Sequence, residues 1–324
     1  MTSYRAAGVD LDGADRHVES IAEAVTSSWS ESVVGGFGGF AAGVTIPAGY
    51  SDPVLMMSTD GVGTKLEIAR VANRWAGVGD DLVAMSVDDL AAVGAQPIGF
   101  VDYMAVGSLQ PERDSAIVES IARACQTAGC PLLGGETAEH PEVMAPDAVD
   151  LAGTVMGVVE KGSELAPANV RPGHLVVGLA SPNLRSNGFS LVRAVLGSEV
   201  GEMAKSLLAP SVIYSPAVLG AVRTGAVAAA AHITGGGIPG NLIRAIPDGL
   251  GTQIDTATWR RPEIFDVIAK AGVTDDDMYT TFNMGIGFTL VVDAAGVDEV
   301  LKATEQHSPT VIGAVTNEPG VHLT

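Results

Sequence analysis

Short apolar runs of strand length alternate with longer amphipathic stretches along the whole chain, and this alternation constrains the fold more than any other feature. It is the grammar of an α/β protein rather than of a sandwich or a helix bundle. Residues 53–60 read as a strand. Residues 80–95 read as a helix, with Val83, Val87 and Leu90 at helical spacing and Gly94 as a stop. Residues 97–107 alternate as a strand. Pro111 then opens a helix that carries Ile117, Val118, Ile121 and Cys125 on one face until Gly129. Residues 131–133 and 149–159 read as further strands.

The segment 161–172 is polar and proline-bearing between two apolar strands, which predicts a domain boundary and two α/β domains, 1–165 and 166–324. The second half restarts the pattern: strand 174–180, helix 188–196, strand 228–233, helices 239–246 and 262–271, strand 285–292, helix 297–305 and strand 310–315. With 47% hydrophobic residues in 324, the chain can bury substantial cores, and its length agrees with about two domains.

A formal net charge of −20 argues against a nucleic-acid surface, which needs clustered Lys and Arg. Nucleotides remain compatible, because backbone amides and divalent cations bind phosphates in acidic proteins. Cys125 and Cys130 form neither a CxxC pair nor a zinc spacing, so free thiols are expected. The first residues lack an apolar leader and the most apolar run, 225–231, is too short to span a bilayer. These features predict a cytoplasmic chain with no membrane partner. Charged residues make up only 17%, which favours a homo-oligomer.

Glycine is abundant, 40 residues, and concentrates in candidate site loops. Gly35-Gly36-Phe37-Gly38-Gly39-Phe40 can aim several amides at one anion, or can be a flexible turn. Asp60-Gly61-Val62-Gly63-Thr64-Lys65 ends an apolar strand, the usual ligand edge of an open α/β sheet. It is not a Walker A loop. Its leading acid suggests Asp60 as a Mg²⁺ ligand, or as a turn cap, with Lys65 near phosphate oxygens. Asp89 lies on the next helix, about 100° around from Asp88, so one metal would not take both. Strand alternation puts Asp102 on the apolar face of Ile98, Phe100 and Met104, where a carboxylate needs either a structural or a functional partner. Gly134-Gly135-Glu136 reads as a glycine turn with an acid that holds a ligand or caps the turn.

In the second half, Ser186-Asn187-Gly188 opens a helix, and Thr234-Gly235-Gly236-Gly237 joins a strand to another. Both present free amides where an anion is favoured, although ordinary capping explains the first turn equally well. Gly235-x-Gly237-x-x-Gly240 also matches a dinucleotide fingerprint in form, but Pro239 interrupts it.

Together these motifs, in order, resemble the phosphoribosylformylglycinamidine cyclo-ligases, also called aminoimidazole ribonucleotide synthetases. The likeness runs from YRAAGVDLDG (Tyr4 to Gly13) through GGFGGF, STDGVGTKL, DLVAMSVDDLAAVGAQP, VDYMAVG, GGETAE, DLAG, SNGFSLVR and HITGGG to TFNMGIG. It implies a cytoplasmic homodimer in purine biosynthesis that uses ATP and Mg²⁺, with a monovalent cation left open. The N-terminal domain would contribute strands to a dimer-interface barrel, and the C-terminal domain would be mixed α/β. The formylglycinamidine ribonucleotide substrate would be cyclised with release of ADP and phosphate. Carried over residue by residue, the resemblance assigns Asp60 and Asp89 to the metal and Asp60, Lys65, Asp89 and Arg185 to catalysis. It gives Gly36, Gly38, Gly39, Gly61, Gly63, Thr64, Lys65 and Glu136 to ATP. The substrate would meet Ser186, Asn187, Gly188, His232, Thr234, Gly235, Gly236, Gly237 and Asn241.

The chain departs from that pattern at several positions. Arg185 stands where the family usually has His before Ser-Asn-Gly, Asp88 where Asn is usual, and Gln96 where Glu is usual. Residues 140–144 also stray from the common Met-Pro-Gly. Arginine cannot act as a base, so Arg185 is expected to bind a phosphate through its planar fork of donors.

Overall fold

The computed structural model describes residues 11–324, so residues 4–10 of the YRAAGVDLDG segment lie outside it. The first half contains α1 (Leu11–Ser27), β1 (Val33–Val34), β2 (Gly43–Val44), β3 (Pro53–Gly61), α2 (Lys65–Ala72), α3 (Val78–Ala92), β4 (Gln96–Val106), α4 (Pro111–Ala128), β5 (Leu132–Glu139) and β6 (Val149–Glu160). Its main sheet has the order β3-β6-β4-β5, with β4 and β5 parallel and the other pairs antiparallel. Period-2 alternation decides its faces: Val54, Met56 and Ser58 turn toward the helices, and Leu55 and Met57 turn outward.

The second half runs β7 (Leu175–Ala180), α5 (Phe189–Leu196), α6 (Val200–Leu207), α7 (Ser215–Val222), β8 (Val227–His232), α8 (Gly237–Leu242), β9 (Gly251–Ile254), α9 (Glu263–Lys270), α10 (Asp275–Thr281), β10 (Ile286–Val292), α11 (Val297–Ala303), β11 (Thr310–Thr316) and β12 (Gly320–Leu323). Its sheet order is β12-β9-β11-β7-β10-β8, antiparallel except for the outer β12–β9 pair. The edge strand β8 pairs only with antiparallel β10. No βαβ unit therefore follows the Gly235-x-Gly237-x-x-Gly240 match, and the dinucleotide reading falls.

Two local expectations change. Gly134-Gly135-Glu136 is not a turn: β5 continues through it to Glu139, parallel to β4. Helix α8 stops at Leu242, with a single 3₁₀ turn after it.

Helix α3 joins the two halves. Gly79 lets it approach α4 so closely that a Cβ there would stand 2.2 Å from the Ile121 amide nitrogen. Asp81 and Asp88, two turns apart on one face, are both fully buried and both bind the second half. Asp81 accepts from the Ser211 amide and hydroxyl and pairs with the Lys65 ammonium at 2.7 Å. Asp88 accepts from the Tyr214 and Ser215 amides and from Arg185 at 2.7 Å. Burial pulls the Lys65 pKa down and Asp81 pulls it back up. Removing one partner strands a buried charge, so Lys65→Met should lower unfolding stability by about 3–5 kcal/mol. Urea unfolding checks this as a fall in midpoint at unchanged slope.

Candidate active site

At the seam between the two halves, β3 and α3 bring two acids against β8. The Asp89 carboxylate meets Nδ1 of His232 at 2.8 Å and accepts from the Ser58 hydroxyl at 3.1 Å. Burial pushes its carboxyl up, but His232, by hydrogen bond and charge, with help from Ser58 and Arg244, holds it below the ordinary carboxylate value. Asp60 shifts the other way. Burial raises its pKa, the Gly61 amide at 2.7 Å lowers it and the neighbouring charge of Asp89 raises it again. Like-charged carboxylates in a half-buried seam favour a cation between them. The donors are hard oxygens suited to Mg²⁺, which commonly takes one or two carboxylates plus phosphate oxygens. Among the described residues there is no cluster of three or more His, Cys, Asp or Glu side chains able to hold a metal unaided.

The glycine loops face the same seam. Asn241 stitches the Thr234–Gly237 turn by donating to the carbonyls of Thr234, Gly235 and Gly237 at 3.3, 3.1 and 2.8 Å. Gly237, at φ +60°, has no room for a side chain, because a Cβ would stand 1.9 Å from the Tyr279 carbonyl. Asn187 lies opposite, its Oδ1 3.6 Å from where a Gly235 Cβ would be. The Ser186 hydroxyl and Nε2 of His232 are buried without a hydrogen-bond partner among the described residues. Thr64, after Gly61 and Gly63, touches the Ser190 hydroxyl at 3.0 Å, tying the Asp60 turn to the helix that follows Ser186-Asn187-Gly188. Sequence reasoning missed Ser58 and Arg244. Ser58 lies two residues before Asp60 and so shares its strand face, while Arg244 lies three after Asn241 on the following turn. Both border a 380 Å³ cleft with Asp89, His232 and Asn241.

Gly36, Gly38, Gly39 and Glu136 sit elsewhere, around a 670 Å³ cavity between α1, the glycine-rich loop and strands β4 and β5. Among the described residues no Lys or Arg lines it, whereas Asp102 and Glu136 do. One register row nevertheless spans the sheet from seam to cavity: Asp60, Gly153, Asp102 and Gly135. Three strand spacings, about 14 Å, separate its ends.

Two expected site residues are not at the site. The Lys65 ammonium is fully buried, donating to Asp81 and to the Arg185 and Ala209 carbonyls at 2.9 Å, so no donor is left for a phosphate. Arg185 is fully buried as well. Its guanidinium binds Asp88 and the Gly287 and Val212 carbonyls and lies 4.8 Å from the Tyr214 ring centroid. Both side chains connect the halves from within the core. The two family departures at 88 and 185 thus meet in one ion pair.

The family model for the N-terminal domain of AIR synthase related proteins matches residues 40–159, and that for the C-terminal domain matches residues 171–324. Sheet order, seam and matches define a two-domain AIR synthase related protein. A phosphoribosylformylglycinamidine cyclo-ligase from Synechococcus sp. (strain CC9605) is 42% identical over 333 residues, covering 98% of this chain and 96% of its own. One from Myxococcus xanthus (strain DK1622) is 44% identical over 315 residues, covering 93% and 91%. The chain belongs to the phosphoribosylformylglycinamidine cyclo-ligase family. Among solved structures, thiamine-monophosphate kinase from Stenotrophomonas maltophilia superposes with a TM-score of 0.69 at 19% identity, covering 94% of this chain and 95% of that one. The hydrogenase maturation protein HypE in complex with ATP gives 0.65 at 16%, covering 92% and 85%. These two share the fold.

The Arg185–Asp88 geometry generates a test. Arg185→His alone should destabilise the protein by about 3–5 kcal/mol, because Asp88 loses its buried partner. Adding Asp88→Asn should restore much of that loss, and a double-mutant cycle from urea midpoints measures the coupling.

Proposed function

We propose that the chain closes the imidazole ring of aminoimidazole ribonucleotide from formylglycinamidine ribonucleotide, consuming ATP and releasing ADP and phosphate. The observation that carries the reading is the convergence of Asp60, Asp89 and His232 at the seam beside the Ser186-Asn187-Gly188 and Thr234–Gly237 turns. An amide oxygen is a poor leaving group. Moving the γ-phosphoryl of ATP onto it makes an iminophosphate, which a neighbouring amidine nitrogen displaces as the ring closes. The site's task is therefore to hold two ligands in line and to stabilise phosphoryl charge.

Asp60 and Asp89 would hold Mg²⁺, which when bound neutralises charge on the phosphates. His232 orients Asp89 through Nδ1, and Ser58 fixes the other carboxylate oxygen. The Thr234–Gly237 and Ser186–Gly188 amides, with Arg244 across the cleft, suit the phosphorylated substrate. The nucleotide would have Gly61, Gly63 and Thr64 toward its phosphates and Gly36, Gly38, Gly39 and Glu136 toward its other end. The acidic, apolar character of that second cavity suits base and ribose.

A homodimer fits the outer face of the four-stranded sheet, where Leu55, Met57, Val101 and Tyr103 are exposed. Exposed apolar side chains on a sheet face favour a second copy as its cover. No helix of the described residues is long and apolar enough to cross a membrane, and cytoplasmic residence suits the proposed pathway.

Incubation with ATP, Mg²⁺ and formylglycinamidine ribonucleotide should yield aminoimidazole ribonucleotide and ADP in equal amounts, and no ring product at all would refute the reading. Asp60→Asn and Asp89→Asn should each cut kcat by about 100-fold or more with the fold intact, since an amide is a poorer ligand than a carboxylate. Gly38, at φ +80°, resists a β-branched side chain, so Gly38→Val should weaken nucleotide binding in calorimetry. Met57→Asp should convert the dimer to monomer at micromolar concentration in sedimentation.

A further inference from the structure

The cavity under the glycine-rich loop contains one group that neither the fold nor the phosphoryl transfer uses. Asp102 projects from β4 on the sheet face of Phe100 and Met104, and lines the cavity. Among the described residues its carboxyl has no polar partner besides its own backbone amide. What packs around it is bare or neutral. On β6 the residue in register is Gly153. On β5 it is Gly135, where a Cβ would stand 2.2 Å from Oδ1 of Asp102, so only glycine leaves the carboxyl its place. From α4 comes Cys125, whose thiol burial keeps protonated. Across the cavity stand His17 of α1 and Glu136 of β5, and Asp114 acts on His17 from α4.

The remaining walls are apolar, from Ile21, Val25, Leu109, Val118 and Leu133, and among the described residues the lining includes no Lys or Arg. Among the described residues a phosphate finds no cation here. A flat, neutral heterocycle finds apolar faces, with the Asp102 carboxyl at its edge and that of Glu136 across the cavity. Burial pushes that carboxyl up to about 7 and pulls the His17 ring down, so near neutrality the cavity can present an uncharged acid beside an uncharged ring. A protonated carboxyl donates from O–H and accepts at C=O. Adenine presents the matching pair, an acceptor at N1 beside the N6 amine donor.

We infer that Asp102 reads the base of the bound nucleotide, donating its O–H to adenine N1 and accepting from the N6 amine. This rests on the proposal that the cavity takes the base end of ATP. The acid thereby sets base specificity and touches no reacting atom. The pH dependence follows in sign. Base binding selects the protonated form, so affinity is full below the free-state pKa of about 7 and falls as pH rises above it. The ionised carboxylate places two acceptors against N1.

The test is calorimetric titration of a non-hydrolysable ATP analogue with Mg²⁺ between pH 5.5 and about 8.5, spanning the carboxyl's titration on both sides. Wild-type affinity should be level at low pH and fall by up to about tenfold per pH unit above neutrality. Asp102→Asn retains a donor and an acceptor without a titrating proton, so it should bind nearly as well as wild type at low pH and lose the alkaline fall. Asp102→Ala should bind about tenfold more weakly at low pH, as expected for lost base hydrogen bonds. Purine riboside triphosphate, which lacks the amine, should bind wild type more weakly than ATP does, and Asp102→Ala should not distinguish the two. Thermal unfolding of each variant confirms that it is folded. If both variants keep the wild-type affinity and pH profile while Gly38→Val weakens binding, the base-reading role is overturned and the nucleotide site stands. If Gly38→Val also has no effect, the nucleotide lies elsewhere and both fall.

Discussion

Two carboxylates on one face of α3 organise the molecule. Asp81 and Asp88 are fully buried, and an acid in that position is tolerable only if it is paired and hydrogen-bonded. Each draws a cation and backbone amides to itself: Lys65 and Ser211 for Asp81, Arg185 with Tyr214 and Ser215 for Asp88. The amides and Arg185 belong to the second half, so these contacts set where that half docks. Asp89, next along the helix, is thereby carried around to β8 and His232. The seam's reactive geometry thus follows from neighbouring contacts that do no chemistry.

This arrangement divides labour along the sheet. At one end the acids Asp60 and Asp89 sit close enough to perturb each other, a state that a divalent cation relieves. At the other end the cavity has acids and apolar walls and, among the described residues, no cation. A nucleotide is itself asymmetric, anionic at one end and neutral at the other, and the proposed placement of its two ends follows that division. The Ser186–Gly188 and Thr234–Gly237 turns lie on the far side of the seam, on the second half, where Asn241 stitches the glycine turn.

Much of this was legible in sequence, for identifiable reasons. Alternation placed Asp102 on the face it occupies, and the strand before Asp60 ends within a residue of the expected position, because period-2 patterning is local. The misreadings arise where glycine or charge has a long-range cause. Gly134 and Gly135 look like a turn, yet Gly135 is needed because Asp102 on the neighbouring strand occupies the space a side chain would fill. Lys65 and Arg185 look like phosphate ligands because their motifs border glycine-bearing turns. Their partners lie 16 and 97 positions away in the chain, and no spacing rule announces those pairs. Short elements such as β9 and β12 went unseen because four residues carry too little pattern.

Cys125 and Cys130 flank the turn from α4 into β5, and both are buried, with the Cys130 thiol pushed up to about 12 by burial. Thiolate is the reactive form, so neither should modify in the closed protein. Alkylation at these positions would then proceed only through transient opening of the α4–β5 region, and its rate would report how often that opening occurs. The chain therefore carries a native clock for the breathing of its N-terminal domain, beside the cavity it would have to open.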